Sequence, residues 1–184
     1  MGTSVLSRRV GARYTALGVV GFAAAVALAA QIAMPVPGTP VPVTLQPMLV
    51  VLAGLWLGPA AGVASMLLYL AAGAVGLPAF TPLGAPGVAR LLGPTGGYLI
   101  AYPAAAFAAG WLGRRGAPSL ARNVVAAVAG MLVVHAGGLA QLTILSGSLE
   151  RAVVLGTLPF AALDLVKAFV AALLGPRRMD RPAA

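Results

Sequence analysis

Cysteine is absent from the 184 residues, and acids are nearly so, with three Asp and Glu against twelve Lys and Arg. The first absence excludes disulfides, thiolate metal sites and thiol nucleophiles, and leaves the redox compartment open. Charge of either sign is scarce: 8% of residues are charged and 60% are apolar, a balance that no water-soluble domain shows. Motifs are missing too. There is no G-x-x-x-x-G-K-[ST], no H-E-x-x-H and no G-x-S-x-G, so the chain alone carries no recognisable means of hydrolysing ATP. Ser65 and Ser146 lack a nucleophile setting, which argues against an intramembrane serine protease, and we expect no enzyme. The net charge of +9 does not point to nucleic acid, because the basic residues cluster without interleaved aromatic side chains and without a soluble domain to carry them.

What the chain does have is long apolar stretches, about 20 residues each being enough to cross roughly 30 Å of hydrocarbon. We read spans at 14–33, 43–57, 60–77, 96–113, 123–146 and 152–175, predicting an all-α integral membrane bundle of six transmembrane helices. The first follows Arg8, Arg9 and Arg13 as a secretory signal would, but it is too long and lacks a convincing cleavage site, so it is kept as a span. Only Gly58-Pro59 separates the second and third, which form either a tight helical hairpin or a pair that includes part of the preceding Pro-rich segment. The organisation expected is a tail at 1–13, one membrane domain at 14–175 and a tail at 176–184. Arginine placement orients it: Arg8, Arg9 and Arg13, then Arg114, Arg115 and Arg122, then Arg177, Arg178 and Arg181 all fall on one side if there are six spans. Cytoplasmic flanks collect Lys and Arg, so both termini are expected in the cytoplasm of a multi-pass plasma-membrane protein.

Two connections on the other side are rich in Pro and Gly yet apolar: 35–42 and 78–95. Irregular backbone near a membrane is tolerated where protein buries it or where it lines a cavity. These segments read either as a lid over an external pocket or as stiff connectors. Gly58-Pro59 and Gly93-Pro94 share the echo Leu-Gly-Pro-x-x-Gly, which is turn chemistry before a helix.

Charged residues inside spans are costly and usually functional, which singles out Asp164 and Lys167. Their spacing of three puts them on one helical face, either as a ligand site or as a structural ion pair. If the last helix starts near Pro159, Asp164 lies in its first turns; if it starts near Ala152, Asp164 lies deeper and Pro159 makes a kink. Arg90 stands alone in the external Gly/Pro segment, where its guanidinium suits a carboxylate or acts as an ordinary interfacial Arg. Thr95-Gly96-Gly97 offers backbone N–H groups at a helix start, or close packing. Thr44 and Gln46 are polar near the start of the second span, and Tyr69, Tyr98, Phe80 and Trp56 are candidate apolar walls or packing residues. His135, alone in its span, reads better as a hydrogen-bonded helix contact than as a proton carrier.

The ordered set of segments resembles the BioY family, the biotin-specific S components of energy-coupling-factor transporters. The resemblance rests on Ala29-Ala30-Gln31-Ile32 followed by Val41-Pro42-Val43-Thr44-Leu45-Gln46, on Leu52 to Pro59, and on Leu68-Tyr69-Leu70 leading to Gly76-Leu77-Pro78. It continues through Leu92-Gly93-Pro94-Thr95-Gly96-Gly97-Tyr98 and ends with Leu158-Pro159-Phe160 and Asp164-Leu165-x-Lys167. It implies a six-helix S component that takes biotin from outside as its transported substrate, with no cofactor and no metal. Family biotin contacts carry over onto Asp164 and Lys167, and more loosely onto Arg90, with Gln46, Thr44, Tyr98, Gly97 and Phe80 as further candidates around the ligand. The resemblance also implies a coupling partner of one transmembrane T component and two ATPase subunits, docked on an Ala-x-x-x-Ala face of the first helix, either Ala23 and Ala27 or Ala25 and Ala29. The rival expectation is a stand-alone secondary transporter for a small anionic vitamin, with Asp164 or His135 relaying protons.

Overall fold

The structure, a computed structural model, describes residues 3–117 and 119–176, and the side chains from residue 12 onward. The described residues form eight helices: α1 (Thr3–Gln31), α2 (Gln46–Leu57), α3 (Pro59–Ala74), α4 (Val88–Leu92), α5 (Gly96–Gly113), α6 (Leu120–Ser146), α7 (Leu149–Gly156) and α8 (Ala161–Leu174). Among the described residues, strand-like pairing is limited to one antiparallel bridge between Met34 and Val43. By length and composition, Ala12–Gln31 and Leu120–Ser146 are each apolar enough to cross a membrane, and the bent pair α7–α8 makes a third; α2 and α3 are shorter apolar helices.

Five expected spans correspond to α1, α2, α3, α5 and α6. Helix α1 begins well before the expected span, because hydropathy marks where hydrocarbon contact starts and not where backbone hydrogen bonding starts. The segment expected at 1–13 is therefore largely helical from Thr3. The tight turn at Gly58-Pro59 is made by Gly58 at φ +81°, a conformation that costs a residue without Cβ little.

The sixth expected span is not one helix. Helices α7 and α8 are bent by 56° across Thr157-Leu158-Pro159-Phe160. Pro159 has no N–H and its ring crowds the carbonyl four residues back, so the carbonyls before it lose helical partners. Side chains replace them: Thr39 Oγ1 donates to Leu155 O at 2.5 Å, and Tyr98 Oη donates to Gly156 O at 2.7 Å. Helix α8 then starts at Ala161, which places Asp164 in its first turn and decides between the two helix starts open from sequence.

Small residues set the helix crossings. A Cβ on Gly54 would lie 2.2 Å from Ala106 O, and one on Gly110 would lie 2.6 Å from Pro59 N, so α5 crosses the α2–α3 turn at backbone contact. Gly97 and Gly137 do the same between α5 and α6, where a Cβ on Gly97 would lie 2.2 Å from Gly137 O. Without water to drive burial, close backbone approach and dispersion hold such helices together. Helix α5 is thus the centre of the bundle, packed on α2, α3 and α6.

The longer Pro/Gly-rich connection, 78–95, is fixed by side chains that occupy its carbonyls. Gln31 donates from the end of α1 to Pro78 O and Phe80 O at 2.9 and 3.2 Å. Gln141 donates from α6 to Leu91 O and Gly93 O at 2.9 and 2.7 Å. Arg90 donates to Thr81 O at 2.6 Å and to Leu83 O. At the arginine-rich end, Arg114 caps Leu57 O at 2.8 Å, Trp56 Nε1 caps Leu174 O at 2.9 Å, and Asn123 reaches Ala172 O and Pro176 O. Trp56 is therefore a helix cap, far from the role of a pocket wall.

Candidate functional site

A cavity of about 580 Å³, counted with the open solvent at its mouth, lies where the Pro-rich connection meets the starts of α2, α5 and α8 and the middle of α6. Val41, Pro42 and Val43 supply one wall, held as extended chain by mutual backbone bonds of 2.9 Å between Met34 and Val43. Thr81 adds a second irregular segment. Both apolar connections therefore line a cavity.

The charged part of the wall comes from the first two turns of α8. Asp164 Oδ1 accepts from Lys167 Nζ at 2.7 Å, and Asp164 Oδ2 pairs with His135 Nε2 of α6 at 3.0 Å. All three line the cavity, and their side chains are almost wholly buried. Burying such charges is unfavourable unless they are paired and hydrogen-bonded, and here each carboxylate oxygen has one partner. Each oxygen keeps a further lone pair, and Lys167 keeps N–H groups beyond the one spent on Asp164. The cluster can accept N–H groups and donate to a carbonyl in the same place.

Thr44 and Gln46 form a fixed polar corner. Thr44 Oγ1 donates to Gln46 Oε1 at 3.2 Å, and Gln46 Nε2 donates to Tyr69 Oη at 2.6 Å. Tyr69 is buried behind that corner against Phe80, ring centroids 5.5 Å apart at 74°, and against Tyr102 at 6.0 Å. Tyr98 lines the cavity with its ring edge-on to His135, centroids 6.4 Å apart. Leu99, Tyr102, Val134 and Phe160 complete an apolar wall, with the hydroxyl-bearing Thr95 beside them.

Of the residues expected from sequence, Asp164, Lys167, Gln46, Thr44 and Tyr98 share this wall. Phe80, Gly97 and Arg90 do not line it. Phe80 packs behind Tyr69. Gly97 lies in the α5–α6 crossing, which is the packing alternative for that glycine pair. Arg90 is buried behind Thr81 with its two terminal nitrogens spent on loop carbonyls. His135 is a helix contact, as expected, and is also part of the wall, which was not. Tyr102 was overlooked although it lies four residues after Tyr98 on the same helix face; Val134 and Phe160 carry no signal that separates them from ordinary core.

Ala23 and Ala29 are buried within the chain, while Ala25 and Ala27 are half-buried. Ala23 and Ala27 border a shallow apolar groove between α1 and α3 with Val20, Leu68 and Ala72. Among the described residues, no group of three or more His, Asp or Glu side chains gathers in metal-binding geometry.

Comparison with known proteins agrees over nearly the whole chain. The BioY family matches residues 6–182. A probable biotin transporter BioY from Pyrococcus horikoshii is 42% identical over 156 residues, covering 85% of this chain and 90% of that one. The biotin transporter BioY of Thermotoga maritima is 36% identical over 156 residues with the same coverage of both. Among solved structures, the S component for biotin from an ECF-type ABC transporter superposes with a TM-score of 0.79 at 25% identity, covering 95% of this chain and 92% of that one.

Proposed function

This chain belongs to the BioY family, and from that premise and the cavity we propose that it binds biotin as the substrate-capture subunit of a vitamin importer. The observation that carries the proposal is the buried Asp164–Lys167 pair on the wall of a largely apolar cavity. Biotin's ureido group has two N–H donors and one carbonyl acceptor. Asp164 has free lone pairs for the former and Lys167 free N–H groups for the latter. Val41, Val43, Leu99, Tyr102, Val134 and Phe160 suit the thioether ring and alkyl chain. For the tail carboxylate, Thr81 and Thr95 put hydroxyls on the wall, whereas Arg90, the candidate from sequence, is held on loop carbonyls away from it. Equilibrium binding of labelled biotin to the purified chain in detergent tests the assignment: saturable one-site binding supports it, and absence of binding refutes it.

Uptake requires energy that no motif in this chain supplies. The reading therefore includes a transmembrane T component and two ATPase subunits, with α1, α2, α3, α5, α6 and the bent α7–α8 pair crossing the plasma membrane and both termini in the cytoplasm. Single cysteines at Gly38 and Gly147 should react with an impermeant thiol reagent added outside intact cells, and one at Ala117 should not; the reverse pattern would overturn external loading. For docking on α1, Ala25→Trp and Ala27→Trp are the informative variants, because Ala23 and Ala29 are already covered by the chain's own core. They should block assembly with the coupling module and spare biotin binding.

One observation favours a second reading. The His135–Asp164 hydrogen bond places a titratable pair inside the cavity, as a proton-coupled carrier would need. Uptake that collapses with the pH gradient and proceeds without the ATPases would select it.

A further inference from the structure

His135 and Asp164 line two cavities. One is the polar-walled pocket described above. The other is an apolar cleft of about 810 Å³, partly open to the outside, between α6 and the α7–α8 break. Met131, Leu132, Leu139, Ala161 and Leu165 form its walls, and Leu132 and Leu165 are exposed on the bundle surface. No other described residue borders both spaces. The imidazole, its Nε2 fixed 3.0 Å from Asp164 Oδ2 and its ring against Tyr98, therefore stands as a partition joined to the carboxylate. The cleft is not wholly hydrocarbon: Thr157 lines it, and both the Thr157 hydroxyl and His135 Nδ1 are buried without a hydrogen-bond partner.

We infer that His135 is a specificity-determining residue, the wall that limits what can be attached to the end of the ligand that meets Asp164. The inference rests on the reading that Asp164 receives the ureido group of biotin. An alkyl group on a ureido nitrogen would then have to occupy the space held by the imidazole. With the ring in place there is no room for it; with the ring removed, the pocket opens into an apolar cleft that suits such a group. The unsubstituted ureido requirement would thus be set by sterics at His135 as well as by hydrogen bonding at Asp164.

The test uses the full chain in detergent, with biotin and its two N-propyl isomers, one alkylated at each ureido nitrogen. Wild type should bind both isomers at least 30-fold more weakly than biotin. His135→Ala should narrow that ratio at least tenfold for the isomer whose propyl group points at the partition. His135→Gln, which keeps bulk and an N–H for Asp164, should retain the wild-type ratio. If His135→Ala does not fold, His135→Ser, which removes the ring but keeps a donor, carries the same prediction. A ratio unchanged in the folded Ala or Ser variant, with normal wild-type biotin binding, overturns the partition alone. Absence of biotin binding by wild type overturns the ureido reading and this inference with it.

Discussion

Arg90 and Lys167 are both cations withdrawn from solvent, at 6% and 5% exposure, yet they do different work. Lys167 spends one N–H on Asp164 and turns the rest of its ammonium to a cavity wall. Arg90 spends both terminal nitrogens on the carbonyls of Thr81 and Leu83 and lines no wall. Burial and charge alone do not mark a ligand contact; what separates the two is whether the remaining donors face an opening, since the Arg90 Nε–H is also unpartnered but buried away from the cavity. In Arg90 the planar fork clamps an irregular segment whose carbonyls have no helical partners. In Lys167 the shared carboxylate leaves the pair half-saturated, which is the condition for recognition.

That contrast breaks first at the α8 pair. Asp164→Asn and Lys167→Ala should each weaken biotin binding more than tenfold, about 1.4 kcal/mol, in protein that still inserts; near-normal affinity in both would make the pair purely structural. Arg90→Ala comes next. Loss of the clamp should lower thermal stability by about 1–3 kcal/mol, the cost of leaving buried carbonyls unpaired, and should weaken biotin and biotinamide by the same factor. A loss confined to biotin would instead make Arg90 the carboxylate contact. Gly97→Ala should destabilise by about 1–3 kcal/mol through overpacking, since its Cβ would meet Gly137 O at 2.2 Å; binding per folded molecule, measured after size-exclusion chromatography, should be unchanged. Tyr98→Phe should have the smallest effect, about 1 kcal/mol of stability from the lost bond to Gly156 O, read as a shift in the thermal midpoint.

The sequence was informative where a residue type is expensive in its setting. Asp164 and Lys167 stand out because charge inside an apolar span needs a reason, and their mutual contact follows from helical spacing. The position of Asp164 on its helix did not follow, since Pro159 permits either a kink or a start; the 56° bend and the start of α8 at Ala161 show the break, and Thr39 and Tyr98 capture the Leu155 and Gly156 carbonyls it frees. His135 illustrates the harder case. Its own helix gives it no partner, and the acid it meets is 29 residues away on a helix whose direction depends on that break. Arg90 lies on the one-turn helix α4 inside the connection expected to be irregular, and its neighbours are backbone carbonyls, which every residue carries and no sequence pattern reveals. Gly97 looked the same whether it approached a ligand or a helix; the α5–α6 crossing decides for the helix.

The central claim, that the Asp164–Lys167 end of the cavity recognises a ureido group, is tested most directly by competition against labelled biotin on the purified chain. Desthiobiotin keeps the ureido group and the carboxylate but lacks the thioether ring, whereas lipoate keeps a carboxylate and ring sulfur but has no ureido group. Desthiobiotin should displace biotin in wild type and lose that ability in Asp164→Asn, and lipoate should compete poorly in both. Displacement by lipoate as effective as by desthiobiotin would contradict the account.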